Sequence, residues 1–345
     1  MGVNPDGVLL AIDAGNSKTD AAVLAPDGTV LGAARGGGFQ PPVVGVETAV
    51  DTLAEIVERA WAEAGGPALG EAGGRARGEA GDAGSSPAFA HVAACLANAD
   101  LPVEETALRD ELLRRGWSRS VRVHNDTFAI LRAGIDEPRG VAVVCGAGIN
   151  CVGMTPDGRT ARFPAIGKIS GDWGGGSGMA EEALWYAARA EDGRGEPSAL
   201  ARALPAHFGL ETMYALIEAL HLGHVPMERR HELTPVLFRV SAEGDPVALG
   251  LVHRLAEEVV ALSAVALGRL GLLEEEAPVM LGGSVLAARH PQLETRIREL
   301  LAERAPKAVI GFVTAPPVLG AGLLALDEAA AGPEAAARLR DHYGA

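Results

Sequence analysis

The chain has 345 residues, of which 48% are hydrophobic and 22% are charged, so it is long enough for two domains with a sizeable core. A net charge of −15 argues against nucleic acid or an anionic membrane surface as a partner, although an ATP site needs only a local positive field. Three unpaired cysteines, no signal-like start and no apolar run of about 18 residues predict a cytoplasmic protein without a membrane span.

The first predicted elements of the chain occur a second time about 130 residues later. The first copy reads as strands Val8–Asp13, Asp20–Ala25 and Thr29–Ala34, with turns Ala14–Ser17 and Pro26–Gly28. The second copy reads as strands Gly140–Cys145, Asn150–Met154 and Arg159–Phe163, with turns Gly146–Gly148 and Pro156–Gly158. Each copy has a Pro-Asp-Gly turn, in which proline presets φ and glycine supplies a positive φ. The repeat predicts two related domains with a cleft between them, placed at residues 1–126 and 127–345.

The segments around these copies favour an α/β architecture. In the first half we expect helices at Val46–Ala64, Val103–Arg115 and Thr127–Ala133 and strands at Phe89–Leu96 and Ser120–His124. Residues 65–87 have almost no large apolar side chains and are interpreted as a flexible surface insertion. The second half is expected to be mainly helical from Ser177 to Leu272, followed by strands Pro278–Leu281 and Ala308–Val313 and helices Gln292–Arg304 and Leu319–Ala331.

The first candidate motif is Asp13–Thr19, where an acidic residue ends a buried strand before a tight turn. Such a turn can present backbone N–H groups to phosphate while the Asp13 carboxylate faces Mg²⁺ or its waters. The motif is not a Walker loop, because GxxxxGK[ST] does not occur in the chain. A plain hairpin turn with an exposed lysine is the competing interpretation.

Two further motifs are a candidate phosphate-binding turn and a candidate catalytic acid. Gly146–Asn150 opens the second copy, and its glycines allow a backbone to approach an anion closely, although a simple glycine hairpin has the same sequence. Asn125-Asp126 lies where a predicted strand meets a helix, so Asp126 is either a catalytic acid or only a helix N-cap.

Glycine-rich loops supply the remaining candidates. Gly167–Gly178 surrounds Asp172 and Trp173 with glycine just before a long helix, which favours a ligand-binding loop over a plain connector. Gly282-Gly283-Ser284 follows a strand and suits close approach by a flat ligand.

Two other patterns are rejected as sites. Gly320–Ala325 fits GxGxx[GA], but two prolines precede it and no βαβ unit follows. His221, His224 and His231 lack the HExxH context of a zinc site, and their role is left open.

Together these segments resemble the N-acetylglucosamine kinase branch of the BadF/BadG/BcrA/BcrD-type ATPases, in the actin-like superfamily. The resemblance runs from Leu9 to about Ala325 and is densest at Ile12–Asp20, Asn125-Asp126, Gly146–Cys151 and Val279–Ser284. It implies two ribonuclease-H-like domains that close over ATP and a sugar, and it leaves open whether the protein forms a homodimer.

The resemblance also implies a role for each candidate residue. Asp126 would be the general base, and Asp13 would hold Mg²⁺ through water. ATP would be bound by Gly15, Asn16, Ser17, Lys18, Thr19, Gly146, Ala147, Gly148, Gly282, Gly283 and Ser284. The sugar would be bound by Gln40, Asn98, Asn125, Asn150 and Asp172.

The chain departs from the family pattern around the sugar rather than around the phosphates. Gly171–Gly175 stands where the family usually has Gly-Asp-Glu-Gly-Ser, Ile166 replaces a tryptophan, and Gln40 aligns only loosely with a sugar-binding asparagine. The segment Ala97–Asp100 also differs from the usual serine- and glycine-rich form. N-acetylglucosamine phosphorylated at position 6 is therefore the expected substrate, with glucosamine and N-acetylmuramic acid open.

Two non-kinase functions remain as alternatives. Activator ATPases of the superfamily hold an iron–sulfur cluster through a cysteine in a glycine-rich segment, but Gly167–Gly178 contains no cysteine. A sugar sensor without catalysis would be expected to lose Asp13 or Asp126, and both acids are present.

Overall fold

The computed structural model describes residues 7–69 and 87–345, and these divide into two compact units. One unit runs to Pro138 and is joined by Val313–Ala345, and the other is Arg139–Phe312. The division differs from the predicted boundary at residue 126, because helix 127–134 and the C-terminal helices pack with the first sheet rather than the second.

The first unit is built on a five-stranded sheet with the order β3-β2-β1-β4-β5. Its strands are β1 (Leu9–Ala14), β2 (Thr19–Leu24), β3 (Val30–Gly36), β4 (His91–Leu96) and β5 (Val121–Asn125). The β1–β2 and β2–β3 pairs are antiparallel, whereas β4 runs parallel to β1 and β5 parallel to β4.

The second unit repeats this topology with the order β8-β7-β6-β9-β10. Its strands are β6 (Gly140–Cys145), β7 (Ile149–Met154), β8 (Thr160–Arg162), β9 (Ala277–Gly282) and β10 (Ala308–Phe312). The β8–β7 and β7–β6 pairs are antiparallel, whereas β9 runs parallel to β6 and β10 parallel to β9. The structure therefore confirms the repeated strand unit, and it adds two parallel strands to each copy.

Helices flank both sheets. In the first unit they are α1 (Pro41–Val44), α2 (Val46–Glu63), α3 (Pro102–Arg114), α4 (Thr127–Gly134), α12 (Pro317–Glu328) and α13 (Pro333–Tyr343). In the second unit they are α5 (Gly175–Asp192), α6 (Leu200–His207), α7 (Met213–His221), α8 (Leu233–Ala242), α9 (Pro246–Leu270), α10 (Ser284–Ala287) and α11 (Pro291–Arg304), with 3₁₀ turns at Gly167–Ser170 and Met227–Glu232. Strand β1 is buried along its whole length, since α2 covers one face of the sheet and α12 contacts the same strand from the other.

The structure refines three sequence predictions. Helix α13 was not predicted, because its apolar residues are few and only Ala335 and Leu339 are buried. Gly320 lies inside helix α12, where an added Cβ would be 1.8 Å from the carbonyl oxygen of Ala129, so this glycine serves helix packing and not dinucleotide binding. Of the proposed insertion 65–87, residues 70–86 lie outside the described residues, and Leu69 is not a surface residue but is buried in the core of the first unit.

Candidate active site

The predicted site residues of the first unit gather at one edge of its sheet. The pairing register aligns Gly36, Thr19, Ala14, Leu96 and Asn125 in a single row across the five strands. Strands β1, β3, β4 and β5 all run toward this row, so the segments that follow them emerge side by side. Carboxyl edges of this kind are where open α/β sheets bind ligands.

Hydrogen bonds join three of these segments. The Asn98 side-chain amide donates to Asn16 Oδ1 at 3.0 Å and to the carbonyl oxygen of Phe39 at 3.2 Å. The Gln40 Nε2 group donates to the carbonyl oxygen of Asn16 at 3.0 Å. Asn98 adopts a left-handed conformation with φ of 62°, which asparagine tolerates better than most residues. Three predicted ligand-binding residues, Asn16, Gln40 and Asn98, are thus hydrogen-bonded to one another around the turn that follows β1.

Asp13 is the most perturbed acid of this edge. It is buried on β1, and burial raises the pKa of its carboxyl to about 7, helped by repulsion from Asp126 and Asp20. Lys18 and Arg35 oppose this rise only in part. Buried carboxylates that repel one another form a donor set to which a divalent cation binds readily, since the cation removes the repulsion.

Asp126 lies between β5 and helix α4, at the position just before the helix. Burial raises the pKa of its carboxyl to about 6, although the nearby N–H groups of Thr127 and Asp126 lower it in part. The N–H of Thr127 donates to Asn125 Oδ1 at 3.0 Å, and Asn125 Nδ2 donates to Asp100 Oδ1 at 2.8 Å. Asn125 therefore caps the start of the helix, and Asp126 is not required for that task.

Asp20 and Arg35 are a feature of this edge that the sequence motifs did not include. Arg35 contacts both carboxylate oxygens of Asp20, at 2.6 and 3.1 Å, and Lys18 lies 3.8 Å from the same carboxylate. Asp20 faces Asp13 across the β1–β2 pair. The register of a predicted hairpin would have revealed this neighbour, but its arginine partner lies on a third strand.

Glycines shape the corresponding edge of the second unit. The first helical residues of α5 bond to the Gly146–Gly148 turn, with Gly176 N–H donating to Gly146 at 2.7 Å and Ser177 N–H to Ala147 at 3.0 Å. Gly283 has a φ of +82°, and a Cβ there would lie 2.5 Å from the backbone of Cys145. The predicted phosphate turn Gly146–Gly148 and the predicted adenosine turn Gly282–Ser284 therefore lie at the ends of the adjacent strands β6 and β9.

A cavity of about 270 Å³ opens beside the Gly146–Gly148 turn. Its wall includes Ala147, Gly148, Lys168, Asp172, Trp173 and Glu181. The Asp172 carboxylate accepts hydrogen bonds from Gly167 N–H at 2.9 Å and from the Ser170 hydroxyl at 2.6 Å, both through Oδ2. Asn150 lies on β7 at the same edge and accepts from Cys151 N–H at 2.7 Å. Asp172 therefore lines a cavity and also fixes the shape of its own loop.

Residues 10–325 match the BadF/BadG/BcrA/BcrD ATPase family over nearly the whole chain. The chain belongs to this family. Among curated relatives, an N-acetylmuramic acid/N-acetylglucosamine kinase of Clostridium acetobutylicum is 26% identical over 238 residues, covering 68% of this chain and 78% of the relative. An N-acetyl-D-glucosamine kinase of Dictyostelium discoideum is 27% identical over 230 residues, or 64% and 72% of the two chains.

Solved structures agree with this family assignment at the level of the fold. The crystal structure of a putative N-acetylglucosamine kinase from Chromobacterium violaceum has a TM-score of 0.63 at 22% identity and covers 93% of this chain and 99% of its own. The mixed α/β fold with two five-stranded mixed sheets is thus similar to the fold of this structure.

Residues 7–69 and 87–345 contain neither of two other kinds of feature. Within this part of the chain no helix is long and apolar enough to cross a membrane, and no three His, Cys, Asp or Glu side chains converge as metal ligands. His231 instead contacts the carbonyl oxygen of Glu228, and His207 contacts Glu232 at 2.9 Å. Mg²⁺ commonly keeps several of its waters and is bound by only one or two carboxylates, so a magnesium site needs fewer protein ligands than three.

Proposed function

We propose that this protein is an ATP-dependent amino-sugar kinase that converts N-acetylglucosamine to its 6-phosphate. The observation that carries the proposal is the Asp126 carboxyl, which follows the parallel edge strand β5 and lies near Asp13, with a pKa that burial raises to about 6. A base is most effective when its pKa lies near the working pH. The kinase names of the two curated relatives support the same reaction class.

Asp126 is proposed as the general base. It is partly exposed at the sheet edge, and helix α4 already has a cap in Asn125, so the carboxylate is available to orient a sugar hydroxyl and accept its proton. Asn125 is only 3% exposed and bonds through both amide atoms, so we assign it the positioning of Asp126 and Asp100 rather than a sugar contact.

Asp13 is proposed to hold Mg²⁺ through water. When bound, the ion would neutralise charge on the phosphate oxygens of ATP. The chain's own contribution is the Asp13 carboxyl oxygen, whose pKa is raised first by burial and then by repulsion from Asp126 and Asp20. A cation at this position would therefore displace a proton from Asp13 near neutral pH.

The two turns are proposed to bind the phosphates of ATP. In the first turn Gly15 N–H donates to Lys18 at 2.8 Å, so the exposed residues Asn16, Ser17 and Lys18 are the better donors. In the second turn Ala147 and Gly148 are exposed at the tip, and a Cβ on Gly148 would meet no protein atom within 4 Å. That open space is the room an approaching phosphate needs. Thr19 pairs within the sheet, so its proposed role is to fix the turn.

The sugar is proposed to contact Gln40, Asn98, Asn150 and Asp172. Asn98 and Gln40 are held by Asn16, while Asp172 is held by Ser170 and Gly167, which orders these groups before a ligand binds. The predicted adenosine turn, Gly282–Ser284, ends at an exposed serine. The matching strand order of the two sheets supports two ribonuclease-H-like domains, and their closure over ATP and sugar stays a prediction.

The iron–sulfur switch is a poorer fit than the kinase. Cys95, Cys145 and Cys151 are all fully buried, and burial raises the pKa of each thiol, to about 12 for Cys145. Cluster ligation needs thiolates, and a cluster shared between subunits needs them at a surface.

An ATP-consumption screen over amino sugars and plain hexoses tests the proposal. We expect turnover with N-acetylglucosamine to exceed that with glucose, with glucosamine and N-acetylmuramic acid as the competing substrates. ATP turnover that no sugar stimulates would overturn the kinase assignment and leave only the ATPase.

A further inference from the structure

A second and larger cavity, of about 690 Å³, lies in the second unit and is lined by none of the predicted ATP-binding or sugar-binding residues. Helices α5 and α9 form its walls, and the turn 193–196 closes one end. The residues that give it chemical character are Trp185, Arg189, Arg194, Glu196, Gly250 and Arg254.

The cavity is basic in a strongly acidic protein. Three arginines and one glutamate line it, although the chain as a whole carries a net charge of −15. Arg194 is paired with Asp192 at 2.6 Å. Arg189 and Arg254 form no ion pair within 4 Å among residues 7–69 and 87–345, although Asp192 lies near enough to Arg189, and Glu258 near enough to Arg254, to interact with their charges. Guanidinium groups are the preferred protein partners of phosphate oxygens.

An aromatic surface lies beside these charges. Trp185 is 53% exposed, which is unusual for so large an apolar side chain, and the Arg189 guanidinium stacks 4.6 Å from its ring centre. Arg254 stacks on Trp173 at 4.2 Å. The Arg189 Nη2 group also donates to the carbonyl oxygen of Arg194 at 2.8 Å, which fixes the guanidinium in place. A ring placed on Trp185 would therefore hold its anionic group next to Arg189.

Gly250 is an independent observation at the same place. It lies inside the 25-residue helix α9, where glycine is destabilising relative to alanine. Its φ is not positive, and a Cβ there would meet no protein atom within 4 Å, so neither the backbone nor the internal packing requires a glycine. Gly250 lines the cavity, and the space it leaves belongs to the cavity.

From these observations we propose that this cavity is a second ligand site, which binds a phosphate monoester that carries a sugar or nucleoside ring. Arg189 and Arg254 bind the phosphate, Trp185 stacks on the ring, and Gly250 gives the ligand room. The site does not depend on the proposed kinase reaction, because none of its residues belongs to the predicted catalytic set.

Calorimetric titration of the full chain with inorganic phosphate, N-acetylglucosamine, N-acetylglucosamine 6-phosphate and AMP tests the proposal. We expect at least one phosphate monoester to bind, and the two esters distinguish a sugar ring from a nucleoside ring. Arg189→Ala should raise the Kd of that ester by roughly tenfold to a hundredfold, as loss of a charged hydrogen-bond donor does. Arg304→Ala, which removes an exposed arginine outside the cavity, should leave the Kd unchanged.

Gly250→Leu supplies the decisive variant, because a Cβ at this position meets no protein atom within 4 Å and a leucine side chain would extend into the cavity. It should abolish binding of the ester while the unfolding temperature stays the same or rises, since leucine favours a helix over glycine. The proposal is overturned if neither ester binds, if Arg189→Ala and Gly250→Leu leave the Kd unchanged, or if these variants alter only the oligomeric state.

Discussion

Replacing Asp13 by asparagine tests the electrostatics of the candidate site without the need for a ligand. The carboxyl is buried, and its pKa is raised from 3.8 to about 7. A folded pKa above the unfolded one means that the group favours the folded state at low pH, and that this contribution is lost as the pH rises through 7. Asparagine has nearly the same shape and does not titrate.

The size of the effect follows from the shift. A change of about three units at about 1.36 kcal/mol each corresponds to roughly 4 kcal/mol over the full range, of which about 2 kcal/mol falls between about pH 5.5 and pH 8. The free energy of unfolding of Asp13→Asn minus that of the wild type should therefore grow by about 2 kcal/mol over this interval, because only the wild type loses the contribution of Asp13.

Urea unfolding in the absence of ATP and Mg²⁺ measures this difference, with fluorescence reporting on Trp61 and Trp117 in the same unit. Asp27→Asn is the control, because a hydrogen bond from Thr29 N–H lowers the pKa of Asp27 and places its titration below the interval. Its difference from the wild type should stay constant with pH. A constant difference for Asp13→Asn as well would refute a raised pKa at Asp13.

Three other variants test separate parts of the account. Gly148→Ala should leave the unfolding temperature unchanged, since its Cβ meets no protein atom, but should weaken nucleotide binding in calorimetry; unchanged affinity would remove this turn from the phosphate site. Asp172→Asn should raise the sugar KM roughly ten- to a hundredfold with nucleotide affinity unchanged. Ser170→Ala, which removes only hydrogen bonds within the loop, should have a smaller effect, and equal effects would make Asp172 merely structural. Leu69→Ala should lower the free energy of unfolding by about 2–5 kcal/mol because Leu69 is buried, and a negligible loss in urea unfolding would show that Leu69 does not pack.

Local sequence signals were sufficient for the strands and for the acids that follow them. Apolar runs separated by glycine and Pro-Asp-Gly turns located the first three strands of each sheet, and the structure has them within one or two residues, except that β8 is shorter. Asp13 and Asp126 were predicted as strand-end acids, and both lie at the carboxyl edge of one sheet.

Long-range contacts were beyond such signals. The bond between Asn98 and Asn16 joins residues 82 positions apart, and the pair Arg132–Asp327 joins residues 195 apart. The division of the chain into two units differs from the predicted boundary for the same reason, since helix α12 packs against β1 and against α4, where Gly320 allows a close approach. The raised pKa of Asp13 likewise depends on burial and on two neighbouring acids, Asp20 and Asp126, of which Asp126 is distant along the chain.

The central claim is that Asp126 activates a sugar hydroxyl for attack on ATP. Mass spectrometry of the sugar product, together with measurement of ADP, tests it most directly with N-acetylglucosamine as substrate. The account predicts one phosphosugar per ADP for the wild type, and at least about a hundredfold slower formation by a folded Asp126→Asn variant that still binds ATP. Wild-type rates in that variant, or ADP formed without phosphosugar, would contradict the account.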